Sequence, residues 1–257
     1  MKRVCAYRAN KILFNFIKSN HLTGTVILPA NICPDVVDTL RYAGNPLHFV
    51  DIDAHTLCLN WQQVMAETKD AAAVLAVHTY GLEDDFNEQF AALRAINPNI
   101  VIIDDRCLCM PELNEPNSSA DLVLYSTGEK KQVELGMGGI GYVAKGWNYE
   151  EIILPENDVL TNETWELDEK ALLAKMDAVI KHKEKLNAIY RKNLPANIQL
   201  PAPYQHWRFH ILVPNKEDVL KALFDEGLFA SSHYAPTHTH THTHTARRGL
   251  HRVNQLV

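Results

Sequence analysis

A chain of 257 residues with 46% hydrophobic residues can bury one large core, or a large and a small one, which excludes global disorder. Its formal net charge of −6 argues against a dedicated nucleic-acid binder, which would present a basic face. No apolar run nears the roughly 18 residues that span a bilayer, and the N-terminal ILFNFI is too short, and too soon closed by Lys18, to read as a signal peptide.

In chain order, the first helix is predicted over 9–19, where Ile12, Leu13, Phe16 and Ile17 share one face. VILP at 26–29 is a short buried strand stopped by Pro29. Residues 34–43 form a helix with Pro34 in its first turn and Gly44 after its end. LHFVDID (47–53) is a strand and NWQQVMAET (60–68) a short helix. AAVLAVH (72–78) is a strand that runs into Tyr80-Gly81. FNEQFAALRAI (86–96) is a helix that turns Phe86, Phe90 and Leu93 inward. The strands IVIIDD (100–105), LVLYST (122–127) and GIGYVAK (139–145) follow.

Residues 146–166 are irregular and polar, a linker. Residues 167–194 form a long helix. Its Leu172, Met176, Val179, Leu186 and Tyr190 recur near every 3.5 residues, interrupted by Lys183, which reads as a packing helix and not a coiled-coil seam. Residues 206–213 alternate as a half-buried strand, and KEDVLKALFDEG is a helix ending at Gly227. The expected division is a large domain over 1–166, a connecting helix with a small domain over 167–236, and a low-complexity tail over 237–257. In that tail His238, His240, His242 and His244 lie at period two within THTHTHTHT. A His-Thr repeat is what a CA dinucleotide repeat encodes in one frame, so a change of repeat length accounts for it better than metal use. Cys5, Cys33, Cys58, Cys107 and Cys109 are odd in number and scattered, which fits a reducing cytoplasm and no disulfide framework.

Strands that are continuous Val/Ile/Leu runs belong to a sheet buried on both faces, and alternation with helices predicts an α/β fold with a mainly parallel sheet. Ligands bind such sheets at the carboxyl ends of the strands. His78, Asp105 and Ser126 fall at those ends, and Lys131 follows Ser126 by five residues, ahead of Gly136, Gly138 and Gly139. This set suits pyridoxal 5'-phosphate. A lysine amine forms the Schiff base, and a carboxylate keeps the pyridine nitrogen protonated. Hydroxyls and the N–H groups of a helix start, here Ala9 and Asn10, take the phosphate. His78 is read either as support for that site or as a satisfied core histidine. Asp104 is expected to cap a helix or face solvent, Arg106 to be solvated or salt-bridged in preference to reaching an anionic substrate, and Asp51 and Asp53 to shape a loop. No G-x-S-x-G occurs, and no P-loop or G-x-G-x-x-G follows a strand at the start of the chain.

The stretch from about 26 to 145 resembles the DegT/DnrJ/EryC1/StrS family of pyridoxal-phosphate sugar aminotransferases. The likeness is carried by HFVDID (48–53), Val77-His78-Thr79-Tyr80-Gly81, Ile103-Asp104-Asp105, and Ser126 with Lys131 before Gly136-Met137-Gly138-Gly139. It continues more thinly into HYAP (233–236). It implies a fold-type-I architecture with a small, shortened C-terminal α/β domain, and Lys131 as the cofactor lysine in preference to Lys130. It implies Asp105 as the pyridine partner and Ser126 as a phosphate ligand. It also implies glutamate or glutamine as amino donor, a nucleotide-linked keto-sugar as acceptor, and a homodimer free of nucleic acid and membrane. The sequence departs from the family pattern at Leu108, where a polar cofactor contact is usual, at Cys33, where a ring-stacking aromatic is usual, and at Tyr7-Arg8-Ala9-Asn10, in place of a glycine-threonine turn. Those departures and the shortened segments give a second expectation: a degenerate, catalytically impaired member that keeps the fold but binds cofactor poorly, acting as a non-enzymatic or partner-subunit protein.

Overall fold

The computed structural model describes residues 1–155, 160–205 and 207–232. The predicted tail, with HYAP and the His-Thr repeat, lies outside the described residues, as does His206.

Seven strands form one sheet: β1 (Lys2–Ala6), β2 (Val26–Pro29), β3 (Leu47–Val50), β4 (Ala73–Val77), β5 (Val101–Asp105), β6 (Leu122–Ser126) and β7 (Gly139–Val143). Their order is β1-β7-β6-β5-β4-β2-β3. β3, β2, β4, β5 and β6 run parallel. β7 is antiparallel to both β6 and β1. The chain between β6 and β7 contains no helix, so it lacks the usual crossover element of a parallel connection and β7 returns antiparallel. Strand β1 was not predicted. Its sequence KRVCA is short and charged, with Lys2 and Arg3 exposed, as suits a sheet edge protected from further pairing.

Helices α1 (Ala9–Ser19) and α2 (Pro34–Ala43) cover one face; α3 (Trp61–Glu67) and α4 (Asn87–Ile96) cover the other. Because side chains alternate along a strand, each strand feeds two cores. Val26, Leu28, Leu75, Val101, Ile103, Leu122 and Leu124 pack with Ile12, Leu13, Phe16 and Ile17 of α1. Ile27, Val74, Ala76, Ile102, Val123 and Tyr125 pack with Phe86, Phe90 and Leu93. The linker lies along α1: the Lys11 amine donates to the Ile152 carbonyl at 2.6 Å, and Asn148 N donates to Asn20 Oδ1 at 3.0 Å.

Helix α5 (Glu169–Asn193) is capped by Asp168, whose carboxylate accepts from Ala171 N at 2.9 Å. At about 37 Å long it buries only Leu172, while Leu173, Ile180, Ile189 and Tyr190 are exposed. Its predicted bounds hold, but its packing role is confined to a small part of its length. Helix α6 (Lys216–Asp225) follows. Among the described residues, the strand predicted over 206–213 is reduced to isolated bridge residues at Ile211 and Leu212, with Gln199 opposite Ile211. Strand alternation fails there because Trp207 and His210 both turn inward, each bringing its ring beside the other at 5.8 Å, and His210 also meets Tyr80 at 4.3 Å.

Candidate active site

A cleft of about 410 Å³ opens at the carboxyl ends of the parallel strands. β2 and β4 neighbour each other while β3 lies outside β2, so the chain reverses direction across the sheet here, the place where α/β sheets bind ligands. Val77, Asp105 and Ser126 reach the cleft from β4, β5 and β6. These three have one parity: the register pairs Val77 with Asp105 and Asp105 with Leu124, two residues before Ser126.

The same parity splits the acidic pair. Asp105 is 6% exposed at the cleft wall, and its Oδ1 accepts from Cys107 N at 2.9 Å. Asp104 points the other way and is fully buried. The expectation of a capping or solvent-facing Asp104 is therefore corrected. Its Oδ1 accepts from His78 Nε2 at 2.7 Å, and its Oδ2 from Arg106 Nε at 2.9 Å and Ser118 Oγ at 2.7 Å. His78 Nδ1 meets the Leu82 carbonyl at 2.7 Å. Both ring nitrogens thus face oxygen atoms. Burial pushes the Asp104 carboxyl up, but the hydrogen bond and charge of His78, the charge of Arg106 and the Ser118 hydroxyl outweigh it, and the net shift is down. Of the two readings of His78, the core histidine matches the geometry; it is not among the residues lining the cleft. Arg106 is salt-bridged as expected, to Asp104 and to Glu112. Asp53 shapes its loop, accepting from His55 N and Thr56 N.

The loop between β6 and β7 is pinned against the start of α1. Thr127 N donates to the Gly138 carbonyl, and Gly138 N to the Tyr7 carbonyl, each at 2.9 Å. A Cβ on Gly139 would fall 2.3 Å from Ala9 N, and one on Gly138 2.3 Å from Thr127 Oγ1. This close approach is what the glycine pair permits. Gly139→Ala is expected to push the first turn of α1 outward and to cost about 1–3 kcal/mol, the usual effect of overpacking. A urea titration checks the loss, and a stability within 0.3 kcal/mol of wild type would contradict the close packing. α1 begins at Arg8 with no side-chain cap and no acidic residue in its first turn. Tyr7, Arg8, Ala9 and Asn10 line the cleft there, so uncapped backbone N–H groups and the positive end of the helix dipole lie at its wall. Ser126 Oγ accepts from Gly128 N at 3.3 Å.

Lys131 and Lys130 both line the cleft. Lys130 is held through its backbone: at φ 62 its N donates to Glu134 Oε2 and its carbonyl accepts from Trp207 Nε1, both at 2.9 Å. Lys131 acts electrostatically on the same thiols as Asp105. Burial raises the pKa of Cys33 and of Cys107, the Asp105 carboxylate adds to the rise, and the Lys131 ammonium opposes it. Cys33 and Leu108 lie on the cleft wall. Sequence reasoning missed Cys107, Trp207 and Arg208 as lining residues. The parity of Cys107 with Asp105 was a usable signal; nothing local to Trp207 or Arg208 pointed to the cleft.

The sheet order, the helices on both faces and a strand-end cleft with a lysine and a carboxylate define an open α/β architecture with a candidate ligand site at the strand ends. Residues 8–111 match the model of the DegT/DnrJ/EryC1/StrS aminotransferase family, which bears out the resemblance over 26–111; the block with Ser126, Lys131 and Gly136–Gly139 lies beyond the match. No curated protein matches the sequence. Among solved structures, a DegT DnrJ EryC1 StrS aminotransferase from Brucella abortus is similar at a TM-score of 0.74 and 16% identity, over 94% of this chain and 74% of that one. The sugar aminotransferase CalS13 from Micromonospora echinospora gives 0.73 and 17%, over 99% and 80%. An E. coli GDP-4-keto-6-deoxy-D-mannose-3-dehydratase with bound hydrated PLP gives 0.65 and 13%, over 91% and 74%. At these identities the likeness establishes the fold, and the expected mainly parallel sheet flanked by helices is borne out.

Proposed function

We propose that the chain is a pyridoxal-phosphate-dependent aminotransferase that places an amino group on a nucleotide-linked keto-sugar, with glutamate or glutamine as donor. The observation that carries this reading is the meeting of Asp105 and Lys131 at one strand-end cleft whose wall is the uncapped start of α1. The residues present fit the cofactor: an amine, a carboxylate, a hydroxyl, and the backbone N–H groups of a helix start without a side-chain cap. When bound, pyridoxal phosphate supplies an aldehyde for amine exchange and a cationic ring that accepts electrons from a substrate carbon.

The roles of the chain's own residues follow. Ser126 Oγ and the N–H groups at Ala9 and Asn10 bind the phosphate. Asp105, an acid kept beside an otherwise apolar strand, holds the proton on the ring nitrogen. Lys131 Nζ anchors the cofactor and then takes the proton from the donor's α-carbon and returns it. His78 stays out of contact and holds Asp104, and with it the end of β5 that carries Asp105. A homodimer accords with the exposed apolar side chains Leu173, Ile180 and Ile189 of α5, and a reducing cytoplasm with five free cysteines. No helix of the described residues is long and apolar enough to cross a membrane.

The test is amine exchange with cofactor-loaded protein, glutamate or glutamine, and a panel of nucleotide-linked keto-sugars, with the keto acid released from the donor measured by a coupled dehydrogenase. Keto-acid release that requires the sugar is the expected result. A second reading, a member that keeps the fold but binds cofactor poorly and acts as a partner subunit or in no catalytic role, is favoured by the thiol of Cys33 and the alkyl chain of Leu108 on the cleft wall. No cofactor uptake at generous concentration, and no amine exchange from any donor, would establish it instead.

A further inference from the structure

We infer that Trp207 is a positioning residue for Lys131: its indole N–H holds the Lys130 carbonyl, keeps Lys130 in the left-handed region, and so sets the direction from which the next residue enters the cleft. The inference deepens the aminotransferase reading and rests on it for the role of Lys131. Lys131 belongs to the chain between β6 and β7, which has no helix or strand. The neck of this loop is closed by Leu135 N on the Thr127 carbonyl at 2.8 Å and by Thr127 N on the Gly138 carbonyl at 2.9 Å. At its tip Lys131 N donates to the Gly128 carbonyl across a longer 3.3 Å.

Lys130, beside it, has φ 62. A Cβ disfavours that region, and a residue stays there only where its surroundings over-determine it. Two bonds do so here, both at 2.9 Å: Lys130 N donates to Glu134 Oε2, and the Lys130 carbonyl accepts from Trp207 Nε1. Glu134 is exposed and lies in the same loop. Trp207 comes from 77 residues further along the chain and is 4% exposed, so water competes little for its bond. Trp207 is itself fastened. Its carbonyl accepts from Lys183 Nζ of α5 at 2.5 Å, and its Cβ lies against Gly81, where an added Cβ would fall 3.3 Å away. Lys175 of α5 adds a second tie to the loop, donating to the Glu134 carbonyl at 2.6 Å. Trp207, Lys130 and Lys131 all line the cleft. Without the indole bond Lys130 would relax to negative φ, and the peptide plane that leads into Lys131 would turn with it.

Competitive acetylation of the full chain with acetic anhydride, without cofactor and mapped by mass spectrometry, reads how freely the half-buried Lys131 amine is reached. Trp207→Phe, which keeps a ring and loses the donor, should raise the Lys131 rate about 10-fold, the weight of one buried hydrogen bond. Adding Lys130→Gly should return that rate toward wild type, because glycine takes positive φ without the Cβ penalty. Adding Lys130→Ala should not, since alanine keeps the penalty. A tryptophan that served packing alone would show no such difference between glycine and alanine at 130. If Trp207→Phe does not fold, the benzothienyl analogue of tryptophan at position 207, alike in shape and without the N–H, takes its place. An unchanged Lys131 rate, or a rise that Lys130→Gly and Lys130→Ala reverse equally or not at all, overturns the inference. Borohydride trapping of pyridoxal phosphate on Lys131 should fall and recover in the same order of variants. Failure of the wild-type chain to take up cofactor defeats the aminotransferase reading, while the acetylation rates still decide the clamp.

Discussion

Lys131→Ala is expected to abolish amine exchange, lowering its rate by at least about 10⁴-fold, because general acid–base help alone contributes about 10²–10⁴ and covalent anchoring is lost with it. The variant should also release cofactor on gel filtration where wild type retains it. Lys130→Ala is the informative comparison. Lys130 and Lys131 are adjacent and both line the cleft, so charge or composition does not choose between them. Lys130 uses its backbone N–H and carbonyl to hold Glu134 and Trp207, and alanine preserves both groups. The αL conformation at φ 62 strains lysine and alanine alike, since both carry a Cβ, so the substitution adds no such cost and leaves the amine of Lys131 in place. Lys130→Ala should therefore keep the cofactor and most of the activity. Single-turnover rates of the two variants check this, and the reverse order would move the anchoring role to Lys130.

The largest expected stability effect is at Asp104. Asp104→Asn is expected to cost about 3–5 kcal/mol, the usual consequence of removing one partner from a buried charged network. His78 Nε2, Arg106 Nε and Ser118 Oγ all meet this one carboxylate, which is fully buried. The pH dependence has a definite sign. The folded-state pKa of Asp104 is depressed, so its contribution is fully present above the unfolded value of about 3.9 and is lost as pH falls through the lower folded value. Wild type should thus lose stability below about pH 4 more steeply than Asp104→Asn does. Denaturant titrations of both proteins from neutral to acid pH check the size and the slope. A loss under about 1 kcal/mol, near that of an exposed ion pair, would contradict the buried network.

Much of the fold was legible because the signals were local. Apolar runs bounded by Pro, Gly and Asn give β2, β4, β5, β6 and β7, and i, i+3, i+4 spacing gives α1, α2 and α4 within a residue or so of their observed ends. β1 was not legible, since five residues with two leading charges look like a polar terminus until β7 supplies an edge to pair with. The strand over 206–213 was read from alternation that has no neighbouring strand to support it beyond Gln199. In the site, Asp105, Ser126 and the start of α1 were found by strand-end position and capping logic. His78 was drawn to the cleft by the same strand-end argument, although its parity already opposed it. In the register Val77 pairs with Asp105, so His78, one residue further, belongs with Asp104 on the opposite face. Trp207 and Arg208 reach the cleft through a contact spanning 77 residues, the Trp207–Lys130 hydrogen bond, and no local pattern encodes that.

The most direct measurement is chemical trapping. Purified protein incubated with pyridoxal phosphate is reduced with borohydride, digested, and mapped by mass spectrometry. A pyridoxyl group on the peptide carrying Lys131, with a visible absorbance band that disappears on reduction, is the predicted result. No adduct at saturating cofactor, or an adduct placed on Lys130 or on a lysine outside the cleft, would contradict it.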